Sequence, residues 1–240
     1  MIYLDNAATT EIDPEVLDAM MPYLTEEYGN PGGIYSLGRR AKSAVELARN
    51  QVASLIGAEP NQVVFTSGGS EANNIAIKSC LGVIADDKDF VTDRTEHDSV
   101  LKSVEYIDVF RKATKFVPVN SQGRIEIREF CDTITEDTEM VSVMCMNNET
   151  GVRNPIEEIG KVCRDKGILF HTDCVQAAGC CKLDVKEFNC DFMSVSSHKI
   201  HGPKGVGALY IRKPSLCIRK YKTLVSSILL GTIIVAIITR

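Results

Sequence analysis

Short apolar runs alternate with amphipathic helical patterns over residues 63–173, and this alternation constrains the fold more than any other feature of the sequence. The runs Val63–Thr66 and Met140–Met146 have the length and composition of buried strands. Pro155–Lys166, in contrast, places its apolar residues at helical spacing. Strands that alternate with helices are typical of a mostly parallel sheet with helices on both faces. The sequence therefore predicts an α/β fold.

Further strands and helices extend this pattern in both directions along the chain. We predict further strands at Ile2–Leu4, Phe90–Thr92, Thr114–Val119, Ile168–Asp173, Asp191–Val195 and Gly207–Ile211. We predict further helices from Asp13–Pro14 to Leu24, from about Ser36 to Ile56, from Ile75 to Leu81, from about Val100 to Phe110, and from about Ile127 to Ile134. Gly57 is the predicted C-cap of the helix that ends at Ile56.

Composition excludes several classes of protein. The chain has 240 residues, of which 44% are hydrophobic and 25% charged, as in ordinary globular proteins. A net charge of -5, without a basic stripe interleaved with aromatic residues, argues against nucleic-acid binding. The first residues lack a basic and apolar secretory signal, and the chain has nine cysteines. Together these features predict a cytoplasmic protein with reduced thiols.

Polar residues follow the predicted strands at the points where the strands end. Ser70, His97, Asn148 and Asp173 each lie at or just beyond such an end. Ligands of parallel α/β sheets bind outside the carboxyl ends of the strands, so we expect these side chains to meet in one pocket. The turn Gly68-Gly69-Ser70 enters a helix and offers free backbone N–H groups to an anion.

Lys199 lies in a polar segment, Ser194–Gly207, that also holds two histidines and several glycines. A lysine amine forms Schiff bases with carbonyl compounds once it is desolvated, and such surroundings favour a reactive amine.

Each of these residues also has a simpler interpretation. Lys199 could be an ordinary surface lysine, the glycine turn a plain turn with Ser70 as N-cap, and His97 a capping or packing residue. A metal site built on His198 and His201 is disfavoured, because the following Gly-Pro pair stops the helix that their spacing requires.

The four candidates together match the needs of one cofactor, pyridoxal 5'-phosphate. That cofactor requires a lysine for its aldehyde, an anion site for its phosphate, a carboxylate for its pyridine nitrogen and a flat side chain against its ring. Lys199, the turn at Gly69, Asp173 and His97 could supply these in that order.

Several motifs carry a resemblance to a known family. The chain closely resembles the cysteine desulfurases, which belong to the class V aminotransferase group of fold-type I pyridoxal-phosphate enzymes. The matching segments are Tyr3–Thr10, Gly29–Pro31, Phe65–Asn74, Glu96-His97, Asn147–Gly151, His171–Gln176 and Ser196–Gly205.

The resemblance implies a fold and a set of roles. It implies the three-layer large domain of fold-type I enzymes, with Lys199 bonded to the cofactor and serving as base, and with His97 stacked on the ring and acting in proton transfer. It also implies Asp173 at the pyridine nitrogen, Gln176 at the ring hydroxyl and Asn148 beside the ring. Around the phosphate it implies Gly69, Ser70, Ser196 and His198.

The resemblance ends near Lys213. It implies a domain division into residues 1–15 lining the site, residues 16–213 forming the cofactor domain, and residues 214–240 as a divergent tail. We expect the family's C-terminal small domain to be missing, and with it the loop that carries the sulfur-accepting cysteine. Cys217 does not lie in that motif. The remaining cysteines are expected to be small core residues.

The tail contains an uncharged apolar run, Leu224–Thr239, for which three interpretations stay open. It could be a tail anchor, although a spanning helix needs about 20 residues. It could be a strand-like part of the fold. It could also be the out-of-frame end of an interrupted gene, which we favour because the resemblance stops abruptly.

We therefore expect an enzyme that removes sulfur from L-cysteine, leaves L-alanine and passes the sulfur as a protein persulfide toward iron–sulfur clusters. The resemblance also implies a homodimer and a sulfur-accepting scaffold protein. The alternatives are a selenocysteine lyase or other class V enzyme, a non-catalytic remnant that binds the cofactor, and a membrane-anchored interaction protein. Only the last would contact a membrane.

Overall fold

A computed structural model describes residues 2–79, 88–111 and 114–213, and these residues form an α/β domain. Its strands are β1 Val63–Thr66, β2 Asp89–Asp93, β3 Thr114–Val117, β4 Thr138–Ser142, β5 Leu169–Asp173, β6 Phe192–Ser196 and β7 Gly207–Ile211. Its α-helices are α1 Pro14–Thr25, α2 Ser36–Ile56, α3 Gly69–Ser79, α4 Asp98–Arg111, α5 Ile127–Thr133 and α6 Ile156–Lys166.

The strands form one seven-stranded sheet in the order β1-β7-β6-β5-β4-β2-β3. Strand β7 runs antiparallel to both of its neighbours, β1 and β6. The remaining pairs, from β6 across to β3, are parallel. All of these strands except β7 therefore share one direction, and their carboxyl ends lie along the same edge of the sheet.

Helices cover both faces of the sheet, which gives the predicted three layers. Helices α2, α5 and α6 pack on one face, where Phe130, Ile159 and Phe170 are fully buried. Helices α3 and α4 pack on the other, around Ile77 and Met140. Burying one such side chain contributes about 1.5–3 kcal/mol, so the two apolar layers hold the sheet edge in place.

The predicted helix ends are confirmed where the sequence carried capping signals. Asp13 Oδ1 accepts the backbone N–H of Glu15 at 2.8 Å, so Asp13 caps α1. Gly57 and Gly167 follow α2 and α6 with φ values of 70° and 72°. This left-handed conformation costs glycine little and explains why both helices stop there.

One predicted strand is wrong, and a second ends earlier than predicted. Ile2–Leu4 is not a strand, because no neighbouring strand pairs with it, and its side chains are exposed. The run Met140–Met146 leaves the strand conformation after Ser142, although it stays buried. The backbone N–H of Met144 donates to the Glu96 carboxylate at 2.5 Å instead of to a neighbouring strand.

Smaller differences concern element boundaries. Helix α3 begins at Gly69, earlier than predicted, and Leu81 of the predicted helix lies outside the described residues. Strand β3 ends at Val117, and Val119 forms only an isolated bridge with Ile125. The predicted tail 214–240, including Cys217, also lies outside the described residues. Within the described ranges, no helix has the length and apolar composition needed to cross a membrane.

Gly160 tests the packing of α6 on the sheet. A Cβ at this position would lie 1.9 Å from the backbone oxygen of Phe188, although glycine to alanine in a helix normally stabilises by about 1 kcal/mol. We expect Gly160→Ala to lower the free energy of unfolding by about 2 kcal/mol or more, measured by urea denaturation. The exposed Gly32→Ala, whose nearest contact would be 3.3 Å, serves as control. Equal stability of the two variants would contradict the packing.

Candidate functional site

A cavity of about 360 Å³ lies at the carboxyl edge of the sheet. Every site residue predicted from the sequence lines it. The lining comprises Ala7, Ala8, Gly69, Ser70, Asn73, His97, Ser99, Met144, Asn148, Asp173, Val175, Gln176, Ser196, His198 and Lys199. The prediction that the polar strand-end residues meet in one pocket is therefore confirmed.

The turn between β1 and α3 forms one end of the cavity. Gly68 has a φ of 156°, and a Cβ on Gly69 would lie 2.5 Å from Val175 Cγ2, so the backbone passes too closely for a side chain. Ser70 lies inside the first turn of α3 and not at its cap. The free N–H groups of this helix start, with its positive dipole end, face the cavity.

Ser196, at the end of β6, contributes a hydroxyl beside this turn. Its Oγ is buried and has no hydrogen-bond partner. A Cβ built on Gly68 would lie 4.0 Å from that oxygen. A buried hydroxyl left without a partner normally costs about 1–3 kcal/mol, so a donor placed next to an anion-binding turn indicates a position for a bound anion.

Asp173 ends β5 and is 5% exposed. Its Oδ1 accepts the backbone N–H of Val175 at 2.9 Å, and its Oδ2 accepts Asn73 Nδ2 at 2.6 Å. Burial raises the pKa of Asp173, while these donors and the charge of Lys199 lower it. The carboxylate is thus held in a fixed orientation at the cavity.

Two further buried acids lie behind Asp173. Asp93 accepts the backbone N–H of Thr95 at 2.7 Å, and Glu96 accepts that of Met144. Burial, together with the charges of Asp93 and Asp173, raises the pKa of Glu96 well above its usual range. Burial likewise raises the pKa of Asp93. In both acids burial is the main cause, because it disfavours the charged form.

His97 immediately precedes α4 and lines the cavity. Its Nδ1 accepts the backbone N–H of Ser99 at 3.1 Å and lies 2.8 Å from Ser99 Oγ. The ring therefore caps the helix, as the simpler interpretation held, and at the same time borders the cavity. The two interpretations of His97 are compatible.

Lys199 ends a single turn of 3-10 helix, Ser197–Lys199, directly after β6. Its ammonium donates to the backbone oxygens of Ala7 and Ala8, the latter at 2.9 Å. Burial lowers the pKa of Lys199, although the carboxylates of Asp173 and Asp5 oppose that effect. A lowered pKa increases the neutral fraction of the amine, which is the form that reacts.

The N-terminal segment is tied to the lysine turn by further hydrogen bonds. Thr10 N donates to the backbone oxygen of His198 at 2.9 Å, and His198 Nδ1 lies 3.1 Å from Thr9 Oγ1. Gln176 Nε2 donates to Ala7 O at 2.9 Å. Burial lowers the pKa of His198, with help from the two neighbouring lysines. The segment therefore forms one wall of the cavity.

The loop after β4 supplies Asn148. Its side chain donates to Glu149 Oε1 at 2.8 Å within the same loop. The preceding Asn147 is structural, since its Oδ1 accepts the backbone N–H groups of Glu149 and Thr150, both at 2.9 Å. That turn aims Asn148 at the cavity.

The rival metal hypothesis finds no matching geometry. His201 has a φ of 62°, and its Nδ1 contacts the backbone oxygen of Glu11 at 3.0 Å, so the helical spacing of His198 and His201 is not realised. Within the described ranges, no group of three or more His, Cys, Asp or Glu residues is arranged to hold a metal ion.

Sequence reasoning missed the backbone oxygens of Ala7 and Ala8 and the side chains of Asn73 and Ser99. Asn73 follows Gly69 by four residues, which places both on one face of α3. Ser99 follows His97 by two residues, within the first turn of α4. Both spacings were visible in the sequence, but they point to this site only after its location is known.

The chain belongs to the aminotransferase class-V family, whose model matches residues 2–221. It is 50% identical over 214 residues to a mitochondrial cysteine desulfurase of Drosophila melanogaster, a match that covers 88% of this chain and 46% of the relative. It is 46% identical over 216 residues to a mitosomal cysteine desulfurase of Trachipleistophora hominis, covering 88% and 49%. The chain thus spans about half the length of these relatives.

Solved structures share the fold. The structure titled SspA in complex with cysteine matches with a TM-score of 0.87 and 30% identity over 98% of this chain and 72% of that chain. A NifS-like protein matches with a TM-score of 0.86 and 33% identity over 98% and 69%. The architecture is therefore that of the fold-type I large domain, as predicted.

The cofactor of this family is pyridoxal 5'-phosphate, as the sequence predicted. The residues present fit that group. The unpartnered Ser196 hydroxyl and the open turn at Gly69 suit a phosphate, and the fixed carboxylate of Asp173 suits a ring nitrogen. Lys199 and His97 border the same cavity.

His171, two residues before Asp173 on β5, tests the burial beneath the site. Its ring is fully buried between the hydroxyls of Ser142 and Ser194, at 2.8 and 3.0 Å. Burial lowers the pKa of His171 from 6.5 to about 3. The folded state therefore holds the ring neutral, and its contribution to stability is present above pH 6.5 and lost as pH falls toward 3.

We expect this loss to separate wild type from His171→Gln in urea denaturation. Relative to the variant, wild type should lose about 2 kcal/mol between pH 7 and pH 5, because unfolding takes up a proton only when the histidine is present. The raised pKa values of the buried acids affect both proteins alike. A stability difference that does not change with pH would contradict a neutral, buried His171.

Proposed function

We propose that this chain contributes the cofactor-binding part of a cysteine desulfurase that acts on L-cysteine. The carbon–sulfur bond of the substrate breaks, L-alanine is released, and the sulfur passes to an acceptor thiol as a persulfide. One observation carries the proposal: Lys199, Asp173, His97 and the anion-binding turn at Gly69 border a single cavity.

Pyridoxal phosphate, when bound, supplies an aldehyde that captures the substrate amine and a ring that withdraws electrons from its α-carbon. Lys199 would hold that aldehyde and then, as a free amine, move the α-proton. Its lowered pKa, caused by burial, favours the neutral base. The backbone oxygens of Ala7 and Ala8 hold the amine at the cavity wall until it reacts.

Asp173 would hold a proton on the ring nitrogen, because its carboxylate is fixed by Val175 and Asn73. His97 would lie against the ring and exchange a proton with the substrate. Gln176 would lie at the ring hydroxyl, and Asn148 would lie beside the ring. Gly69, Ser70, Ser196 and His198 would surround the phosphate, where backbone N–H groups and hydroxyls favour an anion.

Replacing Lys199 tests the proposal directly. We expect Lys199→Ala to lack the visible absorbance band of lysine-bound cofactor and to lose about 100-fold or more of any sulfide release, because Lys199 carries the only amine among the described residues that line the cavity. Absorbance spectra with added pyridoxal phosphate, followed by L-cysteine, dithiothreitol and a sulfide assay, measure both effects. The exposed Lys182→Ala is the matched control.

The outcomes separate the candidate functions. A lysine-dependent band with sulfide release from L-cysteine supports the proposal. A band without turnover would indicate the non-catalytic cofactor-binding protein, and faster release of selenium from L-selenocysteine would indicate the lyase. A folded wild type without any band would overturn the assignment of the site.

Replacing Ser196 tests the phosphate position. Ser196→Ala should weaken pyridoxal phosphate binding about tenfold, the cost of one hydrogen bond to a charged group, measured by fluorescence titration. Binding of pyridoxal, which lacks the phosphate, should not change. Equal weakening of both ligands would mean that Ser196 acts elsewhere.

The same proposal includes a cytoplasmic homodimer that passes sulfur to a scaffold protein. The described cysteines are free thiols, which suits a reducing compartment. Ile2, Leu4 and Ile34 are more than four-fifths exposed, as apolar side chains at a subunit contact would be in a separated chain. Light scattering of the purified chain measures the oligomeric state, and a monomer would contradict the dimer.

We also propose that the chain is divided into domains with boundaries after residues 15 and 213.

A further inference from the structure

A continuous chain of hydrogen bonds joins Asp173 to His97 through Asn73 and Ser99. Asn73 Nδ2 lies 2.6 Å from Asp173 Oδ2 and 2.9 Å from Ser99 Oγ. Ser99 Oγ lies 2.8 Å from His97 Nδ1. An amide NH2 group carries two hydrogens, so Asn73 can donate to both neighbours at once. This series of hydrogen bonds runs from strand β5 through helix α3 to the start of α4.

The chemistry of the partners sets the direction of every bond. A carboxylate only accepts, so the amide nitrogen of Asn73, not its oxygen, must face Asp173. Asn73 Oδ1 is accordingly buried without a partner. Because Ser99 Oγ accepts from Asn73, its own hydrogen is directed to His97 Nδ1.

The backbone N–H of Ser99 also points at His97 Nδ1, at 3.1 Å. An N–H group can only donate. Two donors on Nδ1 require that this nitrogen keep its lone pair, so the proton of the neutral ring lies on Nε2. Since the Nδ1 edge faces the start of α4, Nε2 is the ring nitrogen left for the cavity that His97 lines.

We propose that Ser99 and Asn73 are positioning residues that orient the His97 ring and keep its proton on Nε2, ready for exchange with the substrate. This inference rests on the proposed function, because it specifies which atom of His97 exchanges the proton. Capping of α4 needs only the ring and the Ser99 backbone. The Ser99 hydroxyl and the Asn73 amide are not required for the cap, and their arrangement serves the ring and Asp173 instead.

The state of the ring can be measured without cofactor by 15N NMR of the full chain. The chain has four histidines, so comparison with His97→Gln assigns the His97 signals. In wild type we expect two widely separated signals, with the signal of the protonated nitrogen assigned to Nε2 and that of the unprotonated nitrogen assigned to Nδ1. In Ser99→Ala the two signals should move toward each other, because one donor to Nδ1 is gone and both tautomers become populated. Ser99→Thr, which keeps the hydroxyl, should restore the wild-type signals.

Ser103→Ala is the matched control. Ser103 lies one turn further along α4, is 1% exposed, and donates its hydroxyl to the backbone oxygen of Ser99 at 2.7 Å. The Ser103 hydroxyl does not belong to the hydrogen bonds that link Asp173 to His97, so removing it should leave the His97 ring signals unchanged. Asn73→Ala removes the other side chain that links Asp173 to His97. If Ser99→Ala does not fold, the ring signals of Asn73→Ala decide whether these hydrogen bonds position His97.

Turnover of L-cysteine by cofactor-loaded protein gives the second measurement. Ser99→Ala should lower kcat about tenfold and leave KM nearly unchanged, because a misoriented ring binds substrate normally but exchanges the proton poorly. Wild-type ring signals and wild-type kcat in both Ser99→Ala and Asn73→Ala would overturn the inference. If wild type itself forms no lysine-bound cofactor, the proposed function fails, while the NMR signals still decide the role of Ser99.

Discussion

The shared direction of the strands is the constraint on which the rest of this structure depends. Strands β1, β2, β4, β5 and β6 end along one edge of the sheet, and α3 and α4 begin there. At that edge the backbone groups no longer have hydrogen-bond partners in the sheet, and the helix starts present unpaired N–H groups. Polar side chains placed just after these strands therefore find partners at that edge.

Holding these groups has an electrostatic cost. Asp93, Glu96 and Asp173 are buried close together, and burial raises the pKa of each. Neutral donors, such as the Asn73 amide and the Met144 backbone N–H, form hydrogen bonds with these carboxyl groups and offset part of the cost of burying them. Lys199 also lines the cavity, but its ammonium donates to backbone oxygens of the N-terminal segment. The apolar layers on both faces of the sheet stabilise the fold against this cost.

The N-terminal segment shows how a region without regular structure acquires a defined place. Ile2–Leu4 was expected to be a strand, but the segment that follows crosses the lysine turn through paired hydrogen bonds between Thr10 and His198. Contacts separated by 188 residues in the sequence hold it there. Local pattern carries no information about such a partner, which is why the strand prediction failed.

The sequence by itself determined the elements and most of the cavity. Apolar runs, caps at Asp13, Gly57 and Gly167, and polar residues at strand ends are local signals, and each acts through the backbone of its own segment. Only the tertiary structure decided that Met144 would turn to Glu96, and that Asn73 would bridge Asp173 and Ser99. Those choices depend on which segments the packed sheet brings within hydrogen-bond distance, and that is a property of the whole domain.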